Sequence, residues 1–443
     1  MTGQRLFTTF LSFLAAGVAL AQDVTGVVGP PTLQFSFSNP GARSMGLGGS
    51  FVALADDATA AFANPAGLVQ IVRPEVSVEG RYWGYSTSFT QQGRITGEPT
   101  GIGVDVVAGL RSGTSSDDLA GLSFLSFVYP RNKWSIAFYR HQLADFESLT
   151  QTQGLFAGGS ICCRLVEYRV HTDLEIVSYG LSGAYRVNDS LSLGFSLVYF
   201  DGDMELVSEP FLPDEDEILG GFAPTSYLPE RMIAQTSLRI DNSDWGFTGG
   251  FLWALSPRWR LGGFYREGPG LELRGESVSG PGGFYFDLPA AGTILDTGMS
   301  SSAFPDVFGL GCSFRPQDGR LTIAFEWDRV EYSTILDSLD PETFDVNDIV
   351  LADGNEYHLG AEYVFIRSTP LLAARLGVWL DPDHRPRATA ASEILERAFL
   401  QPGKDQIHYA LGFGLAFKSF QIDFGADFSD LVDTVSLSAI YGF

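Results

Sequence analysis

The chain has 443 residues, and its 53 acidic and 28 basic side chains give a formal net charge of −25. This balance argues against a nucleic-acid partner, because proteins that bind nucleic acids need a basic stripe for the phosphate backbone. Hydrophobic residues make up 45% of the chain, which also contains 35 Phe and 51 Gly. The excess of Phe and Gly favours a β-barrel that faces lipid.

The first 21 residues have the pattern of a secretory signal peptide. Arg5 supplies positive charge, an apolar run follows, and Ala19, Leu20 and Ala21 form an A-x-A cleavage site. We expect cleavage before Gln22. No later run reaches 18 apolar residues, so no second transmembrane helix is predicted.

Residues 22–73 are predicted to form a hatch, a compact plug inside a barrel. Residues 48–68 read GGSFVALADDATAAFANPAGL, with too few large side chains to form a core alone. Two acids are predicted to cap a short helix over 58–62, an Asn-Pro pair to end it and a Gly to close the turn. The alternative is a disordered periplasmic tail. The candidate gating residues are Asp56, Asp57, Asn64, Pro65, Ala66 and Gly67.

Residues 74–443 are predicted to form a fourteen-stranded antiparallel transmembrane β-barrel, an all-β fold. Six short polar turns, near residues 130, 187, 256, 316, 367 and 418, alternate with long loops, which is typical of bacterial outer-membrane barrels. The predicted strands are 75–92, 117–130, 133–149, 168–187, 191–205, 241–256, 259–273, 305–315, 320–333, 355–366, 371–381, 405–417, 419–429 and 433–443.

Alternation along these strands predicts which side chains face lipid and which face the lumen. One row on the ninth strand holds Leu321, Ile323 and Phe325, and charged residues occupy the opposite row. A charge near the middle of the lipid face costs about 2–4 kcal/mol for Lys or Arg, so the charges belong inside. We expect them to pair across the interior, and a transport role is the alternative. They are Glu326, Asp328, Glu362, Arg375, Asp423 and Asp427.

The last nine residues, VSLSAIYGF, alternate apolar and small side chains and end on Phe443. This pattern is typical of a lipid-facing strand, and the terminal aromatic resembles the C-terminal signal of bacterial outer-membrane proteins. Together with the signal peptide it predicts the outer membrane of a Gram-negative-type bacterium, with the membrane lipids as surroundings. The alternative is an amphipathic strand of a soluble sandwich.

The residue types of metal and catalytic sites do not occur in recognisable patterns. The acidic runs at 214–217 and 337–348 lack the EF-hand spacing, and we interpret them as solvated loops, with a divalent-cation role as the alternative. Cys162, Cys163 and Cys312 have no zinc-site spacing, and we expect packing roles, with one bridge in the outer loops as an alternative. The five His show no Ser and carboxylate partners at triad spacing. We therefore predict no metal, no cofactor and no enzymatic activity.

The stretch GARSMGLGGSFVALADDATAAFANPAGL resembles the N-terminal region of the FadL/TodX family of outer-membrane transporters for hydrophobic compounds. FPDVFGLGCSFRPQDGRLTIAFEWDRVEYS, EYHLGAEYVF and LLAARLGVWLDPD resemble its later strands. The resemblance implies a monomeric fourteen-stranded barrel with a hatch, whose Asn-Pro-Ala motif falls on Asn64, Pro65 and Ala66. It also implies uptake of long-chain fatty acids or aromatic hydrocarbons, with lateral exit beside a kinked third strand. That strand, WSIAFYRHQL, has no Gly or Pro to mark a kink, whereas Gly80, Gly84 and Gly121 lie nearby.

The predicted function is passive uptake of a hydrophobic small molecule through a hatch-gated barrel. Apolar side chains of the outer loops are candidates to collect the ligand, and loop-on-loop packing is their alternative role. These residues are Phe211, Ile218, Leu219, Phe222, Phe284 and Tyr285. The alternative function is that of a PorV-like component of a secretion system, which shares a similar opening motif and binds exported proteins.

Overall fold

The computed structural model describes residues 38–101, 105–152, 155–156, 167–212, 227–286, 288–338, 348–391 and 400–443. Before the barrel come helix α1 (Ala42–Gly46), helix α2 (Ala60–Ala63) and a 3-10 helix (Pro65–Gln70). The loops hold helix α3 (Thr334–Asp337), two 3-10 helices (Pro229–Arg231 and Pro281–Phe286) and three two-residue strands (Leu155–Phe156, Ile349–Val350 and Arg387–Ala388). Among the described residues, no helix is long and apolar enough to cross a bilayer.

Fourteen strands of the described chain form one closed antiparallel barrel, which confirms the predicted fold class and strand number. The first strand pairs with the last, from Glu75 opposite Gly442 to Tyr85 opposite Val432. Strands β1–β14 are, in order, Glu75–Arg94, Leu110–Pro130, Trp134–Gln151, Glu167–Arg186, Leu191–Phe211, Ala234–Ala254, Trp259–Arg266 with Gly270–Ser279, Ile294–Ala303 with Val307–Phe314, Leu321–Val330, Gly354–Phe365, Leu371–Asp381, Gln406–Ala416, Phe420–Phe428 and Val432–Gly442.

The barrel turns its apolar rows outward and its small and charged rows inward. Leu376 and Phe413 are outward and exposed, whereas Arg375 and Ser436 are inward and buried. This arrangement of apolar and polar rows is the inverse of that in a soluble protein. It follows from the period-two alternation of side chains along strands whose outer face contacts lipid.

Several strands extend further outward than the sequence pattern predicts. β2 begins at Leu110 instead of 117, and β5 ends at Phe211 instead of 205. The added part of β2, LRSGTSS at 110–116, has no apolar alternation. Apolar alternation marks only the lipid-facing part of a strand, whereas backbone ladders continue without it.

Two neighbouring strands, β7 and β8, are interrupted at the same level, which the predicted spans missed. Asp306 closes the break, since its carboxylate accepts hydrogen bonds from Gly268 N at 2.9 Å and from the Tyr265 hydroxyl at 2.5 Å. The side chain replaces the missing ladder contacts, so the wall stays bonded there.

The ladder between β2 and β3 covers only the lower part of the two strands. It runs from Pro130 opposite Ser135 to Phe124 opposite His141 and then stops, although both strands continue outward. β3 also carries a bulge at Leu143, where its register with β4 shifts. The backbone ladder of the wall is therefore interrupted at this seam, although WSIAFYRHQL contains neither Gly nor Pro.

Candidate functional site

Residues 38–73, which we call the inner segment, lie inside the barrel and fill its lower lumen. Phe51, Leu54 and Leu68 of this segment are almost completely buried. The segment packs with wall side chains into one hydrophobic cluster. Because 13 of its 36 residues are Ala or Gly, the barrel supplies most of the large side chains of this core.

The Asn-Pro-Ala-Gly turn lies against strand β6. Asn64 is fully buried, and its side-chain amide donates to Val52 O at 2.9 Å and to Phe251 O of the wall at 3.0 Å. Its Oδ1 accepts from Ala66 N at 3.2 Å, which caps the 3-10 helix that begins at Pro65. Asn64 thus joins two parts of the inner segment to the wall.

The predicted helix over 58–62 is shorter and begins later, at Ala60. Asp57 does not cap it directly: its Oδ1 accepts from the backbone and hydroxyl of Thr59, at 3.0 Å and 2.5 Å. Asp56 instead pairs with Arg43 at 2.6 Å. Asp56 takes no part in the expected cap, because its carboxylate pairs with the Arg43 guanidinium, whereas Asp57 binds the turn that leads into the helix.

Arg43 connects the inner segment to the wall through carboxylates. Its guanidinium also lies 3.3 Å from Asp57 and makes two hydrogen bonds to Glu362 of β10, at 3.0 Å and 3.1 Å. Sequence reasoning missed Arg43. The available signal was that it is the one basic residue among residues 38–72 and shares them with two acids.

The wall extends this ion network across three strands. Arg375 of β11 donates to Glu362 of β10 and to Asp423 of β13, each at 2.7 Å. All three side chains are buried on the inward face. Two sets of residues singled out separately in the sequence, the acids at 56–57 and these wall charges, thus meet around Arg43.

Glu326 binds the backbone of the inner segment. Its Oε2 accepts from Phe51 N at 2.6 Å and Val52 N at 2.7 Å, and its Oε1 accepts from the Asn39 amide at 3.3 Å. A buried carboxylate that receives three N–H bonds is well stabilised. Its contacts serve to hold the inner segment against β9.

The remaining two predicted inward charges lie above the ion network. Asp427 accepts from Trp379 Nε1 at 2.8 Å and bonds His408 Nδ1 at 2.5 Å. Asp328 faces His358, with 3.8 Å between its Oδ2 and Nε2 of the imidazole. Both carboxylates are buried.

Glycines on the inward face of the wall let the backbone of the inner segment approach closely. A Cβ at Gly194 would lie 2.2 Å from Ala66 N, and one at Gly377 would lie 2.2 Å from Gly48 N. At other wall glycines a Cβ would also lie within 2.9 Å of an inner-segment atom; they are Gly250, Gly262, Gly311, Gly360, Gly412, Gly425 and Gly442. These glycines thus let the wall and the inner segment come into close contact.

A cavity of about 110 Å³ lies above the inner segment. It extends from the seam between β2 and β3, at Leu143 and Phe146, across to His358 on β10. Its walls combine aromatic, aliphatic and charged side chains. The lining includes Asn39, Met45, Trp83, Tyr85, Leu143, Phe146, Glu356, His358, Trp379, His408 and Asp427.

Side chains of β1 cross the seam and bind β3. Trp83 Nε1 donates to Asp145 O at 3.3 Å, and Glu147 N donates to the Tyr85 hydroxyl at 2.8 Å. Tyr85 also stacks on Phe146, with 5.0 Å between the ring centroids. A few side-chain contacts therefore close the stretch where the backbone ladder is missing.

The candidate ligand-collecting residues have different environments. Phe211 belongs to β5 instead of a loop and is fully buried, with the Arg169 guanidinium 5.3 Å from its ring centroid. Phe284 is 62% exposed. Ile218, Leu219, Phe222 and the side chain of Tyr285 lie outside the described residues, as do Cys162, Cys163 and residues 1–37. Cys312, on β8, is a free half-buried thiol.

A closed barrel with an apolar outer surface, a folded segment inside it and a cavity beside a seam defines a membrane-spanning β-barrel protein. The profile of the family described as "Outer membrane protein transport protein (OMPP1/FadL/TodX)" matches residues 33–436. The chain belongs to this family, and its barrel lies in the outer membrane of a Gram-negative-type bacterium.

Relatives and solved structures agree with this assignment. The chain is 28% identical over 287 residues to the long-chain fatty acid transport protein of Escherichia coli O6:H1, covering 63% of this chain and 58% of that protein. It is 26% identical over 303 residues to the protein of the same name from Salmonella typhi, covering 66% and 60%. The chain thus matches about three fifths of the length of these relatives.

The fold resembles a Pseudomonas aeruginosa FadL homologue, with a TM-score of 0.61, 16% identity, and 92% and 99% of the two chains covered. It also resembles the Pseudomonas putida toluene transporter TodX, with a TM-score of 0.54, 15% identity, and 92% and 98% covered. Nothing in these comparisons supports the alternative of a secretion-system component.

Proposed function

We propose that this protein admits hydrophobic small molecules, long-chain fatty acids or compounds like them, through the outer membrane by passive diffusion. In this proposal residues 22–73 act as the hatch, the barrel works as a monomer among outer-membrane lipids, and no chemical step occurs. Family membership supports the class of function, and the names of the relatives support the class of substrate.

One observation carries the proposal: the internal cavity ends at the seam where β2 and β3 have no ladder. Trp83, Tyr85, Leu143 and Phe146 present apolar surface there. Apolar surface favours a hydrophobic ligand by about 25 cal/mol per Å² removed from water. A ligand in this cavity therefore lies beside a stretch of wall that side chains alone keep closed.

The bonds across the seam indicate how the ligand leaves. The Trp83 indole and the Tyr85 hydroxyl hold β3 with individual hydrogen bonds, each worth about 1 kcal/mol net. Opening the seam breaks these few bonds and leaves the paired β1–β2 and β3–β4 ladders intact. The ligand passes sideways, so the inner segment has to shift only locally.

The test is uptake of a radiolabelled long-chain fatty acid by cells whose own transporter is deleted and which express this protein or a variant. Ala144 is buried, lines the cavity and lies at the seam, so Ala144→Phe should fill the route and reduce uptake at least tenfold. Ile136→Phe, on the outward face of the same strand at 46% exposure, is the matched control and should keep wild-type uptake.

Surface amount and heat-modifiable migration of each variant report whether the barrel has assembled. Uptake no faster than in cells with an empty vector would overturn the proposed substrate class. Wild-type uptake by assembled Ala144→Phe would show that the ligand takes another route.

A further inference from the structure

We propose that Asp328, Glu356 and His358 form a binding site for a divalent metal ion of the zinc class, in the wall of the cavity above the inner segment. One donor atom from each residue lies within 4.8 Å of the other two. The chemistry fits, because imidazole nitrogen and carboxylate oxygen are both zinc ligands.

Strand geometry brings the three residues together. Glu356 and His358 are two positions apart on β10, so their side chains point to the same face. Asp328 lies directly opposite Glu356 in the β9–β10 ladder. No local spacing in the sequence indicates this site, because its ligands come from the register of two strands.

The distances match a shared ion. His358 Nε2 lies 3.4 Å from Glu356 Oε2 and 3.8 Å from Asp328 Oδ2. Two ligand atoms about 2.1 Å from a tetrahedral zinc ion are roughly 3.4 Å apart. A small side-chain adjustment therefore brings all three donors to one ion.

The tautomer of His358 is fixed by the inner segment. Its Nδ1 lies 2.7 Å from Gly48 O, and a carbonyl oxygen only accepts, so Nδ1 carries the proton. In the neutral ring Nε2 then presents its lone pair to the carboxylates. A backbone carbonyl that holds the second nitrogen is the usual partner of a metal-binding imidazole.

The donor atoms have unused bonding capacity. His358 and Asp328 are 4% and 8% exposed, and His358 Nε2 and Asp328 Oδ1 have no hydrogen-bond partner among the described residues. Two buried carboxylates beside an imidazole lone pair repel one another unless a cation joins them. Glu326, although opposite His358 in the ladder, is already occupied by backbone N–H groups of the inner segment.

A bound ion would couple the cavity to the inner segment. Three protein ligands leave a fourth zinc position open, and both Glu356 and His358 line the cavity. The ion orders His358, and His358 holds Gly48, so occupancy should strengthen the attachment of the inner segment to β10.

The experiment uses the detergent-purified mature protein, stripped with a chelator and titrated with ZnCl₂ in excess Mg²⁺ to occupy the acidic loops. Elemental analysis gives the stoichiometry, and calorimetry gives the affinity. We expect one Zn²⁺ per chain and at least about tenfold weaker binding in His358→Gln and in Glu356→Gln. Glu356→Gln nearly preserves shape, so it remains informative if His358→Gln fails to assemble.

The matched control is His408→Gln, because His408 is a buried imidazole that lines the same cavity and pairs with the single carboxylate of Asp427. It should bind Zn²⁺ as the wild type does. Absence of zinc from the wild type would overturn the site in favour of a protonated His358 paired with Glu356. Equal binding by all variants, or loss in His408→Gln alone, would place the ion elsewhere. The readout is metal content, so it is independent of whether the protein transports fatty acids.

Discussion

The inner segment is attached to the two sides of the barrel in different ways. On the side of β4–β7, hydroxyl and arginine donors bind its carbonyl oxygens, as Ser182 binds Ala61 O at 2.7 Å and Ser192 binds Ala66 O at 2.9 Å. No ion pair joins the segment to these four strands among the described residues. On the side of β9–β11, Arg43 and Glu326 attach it through charges.

This difference indicates which side yields first. A hydrogen bond contributes about 1 kcal/mol between neutral groups and about 1.5–3 kcal/mol when the donor is charged, whereas breaking a buried charge pair costs about 3–5 kcal/mol because the remaining charge is left unpaired. A segment attached in this way should loosen on the side of β4–β7, which adjoins the β2–β3 seam. The attachment to β9–β11, which we call the charged side, then acts as the fixed end and stays in place while the rest of the inner segment moves.

The largest expected effect comes from removing the charged attachment. Arg43→Met leaves Asp56, Asp57 and Glu362 without their shared cation, and it should destabilise the closed inner segment by about 3–5 kcal/mol. Hydrogen exchange followed by mass spectrometry should show exchange of residues 38–73 more than about 100-fold faster. The barrel strands should keep their protection.

The control for this variant is Arg239→Met, which removes an exposed pair with Glu205, 2.7 Å apart. Such pairs contribute about 0–1 kcal/mol, so exchange of the inner segment should not change. Similar exchange in both variants would mean that the charged side is not the fixed end.

The sequence predicts the barrel far better than it predicts the attachments of the inner segment. Alternation along each strand reports lipid contact, so strand number and facing could be derived from residues such as Phe325 and Glu326. Contacts such as Arg43 with Glu362 join residues 319 positions apart, and no local pattern encodes them. The β2–β3 seam was implied by the family resemblance and not by the residues, because it arises from pairing lost between two strands, without a Gly or Pro to mark it.

The attachment of the inner segment to β4–β7 can be tested by adding a single methyl group. Gly194→Ala places a Cβ 2.2 Å from Ala66 N, so the backbone of the inner segment has to move. Overpacking of this kind costs about 1–3 kcal/mol. We expect faster exchange around residues 60–70 while residues near Arg43 stay protected, which would show that the two sides open separately.

Gly183→Ala, one strand away, is the matched control because a Cβ there has no atom within 4 Å. It should leave the exchange of residues 60–70 unchanged. Uniform loosening of the whole segment in Gly194→Ala would argue that the segment moves as one rigid body, against the two-sided attachment.

Asn64→Ala tests the attachment to β6 and should have a smaller effect than Gly194→Ala. It removes the amide donors to Val52 O and Phe251 O and the cap on Ala66 N, at a cost of about 1–2 kcal/mol. Passage of a long-chain fatty acid should change while barrel assembly, measured by heat-modifiable migration, stays intact. Loss of assembly would mean that the motif is needed for folding instead of for gating.

The smallest expected effect concerns His384, in the outer loop that follows β11, the last strand of the charged side. Burial opposes protonation of His384, but Asp381, 3.4 Å away, raises the pKa of His384 to about 9. Because this value exceeds the unfolded pKa of about 6.5, the stabilisation is present in full below that pH and is lost as pH rises through about 9. His384 also stacks on Tyr332, with 4.6 Å between the ring centroids. Protonation therefore stabilises the outer loop that follows β11.

Protease cleavage of this loop measures the effect, with wild type and His384→Gln compared at each pH so that the pH dependence of the protease cancels. At pH 6 the variant should be cut several-fold faster, and at pH 10 the two rates should converge. His171→Gln, which changes an imidazole that is 43% exposed on β4, should follow the wild type throughout. Equal rates at pH 6 would show that the Asp381 pair contributes nothing to loop order, and the charged side would then end at the cavity.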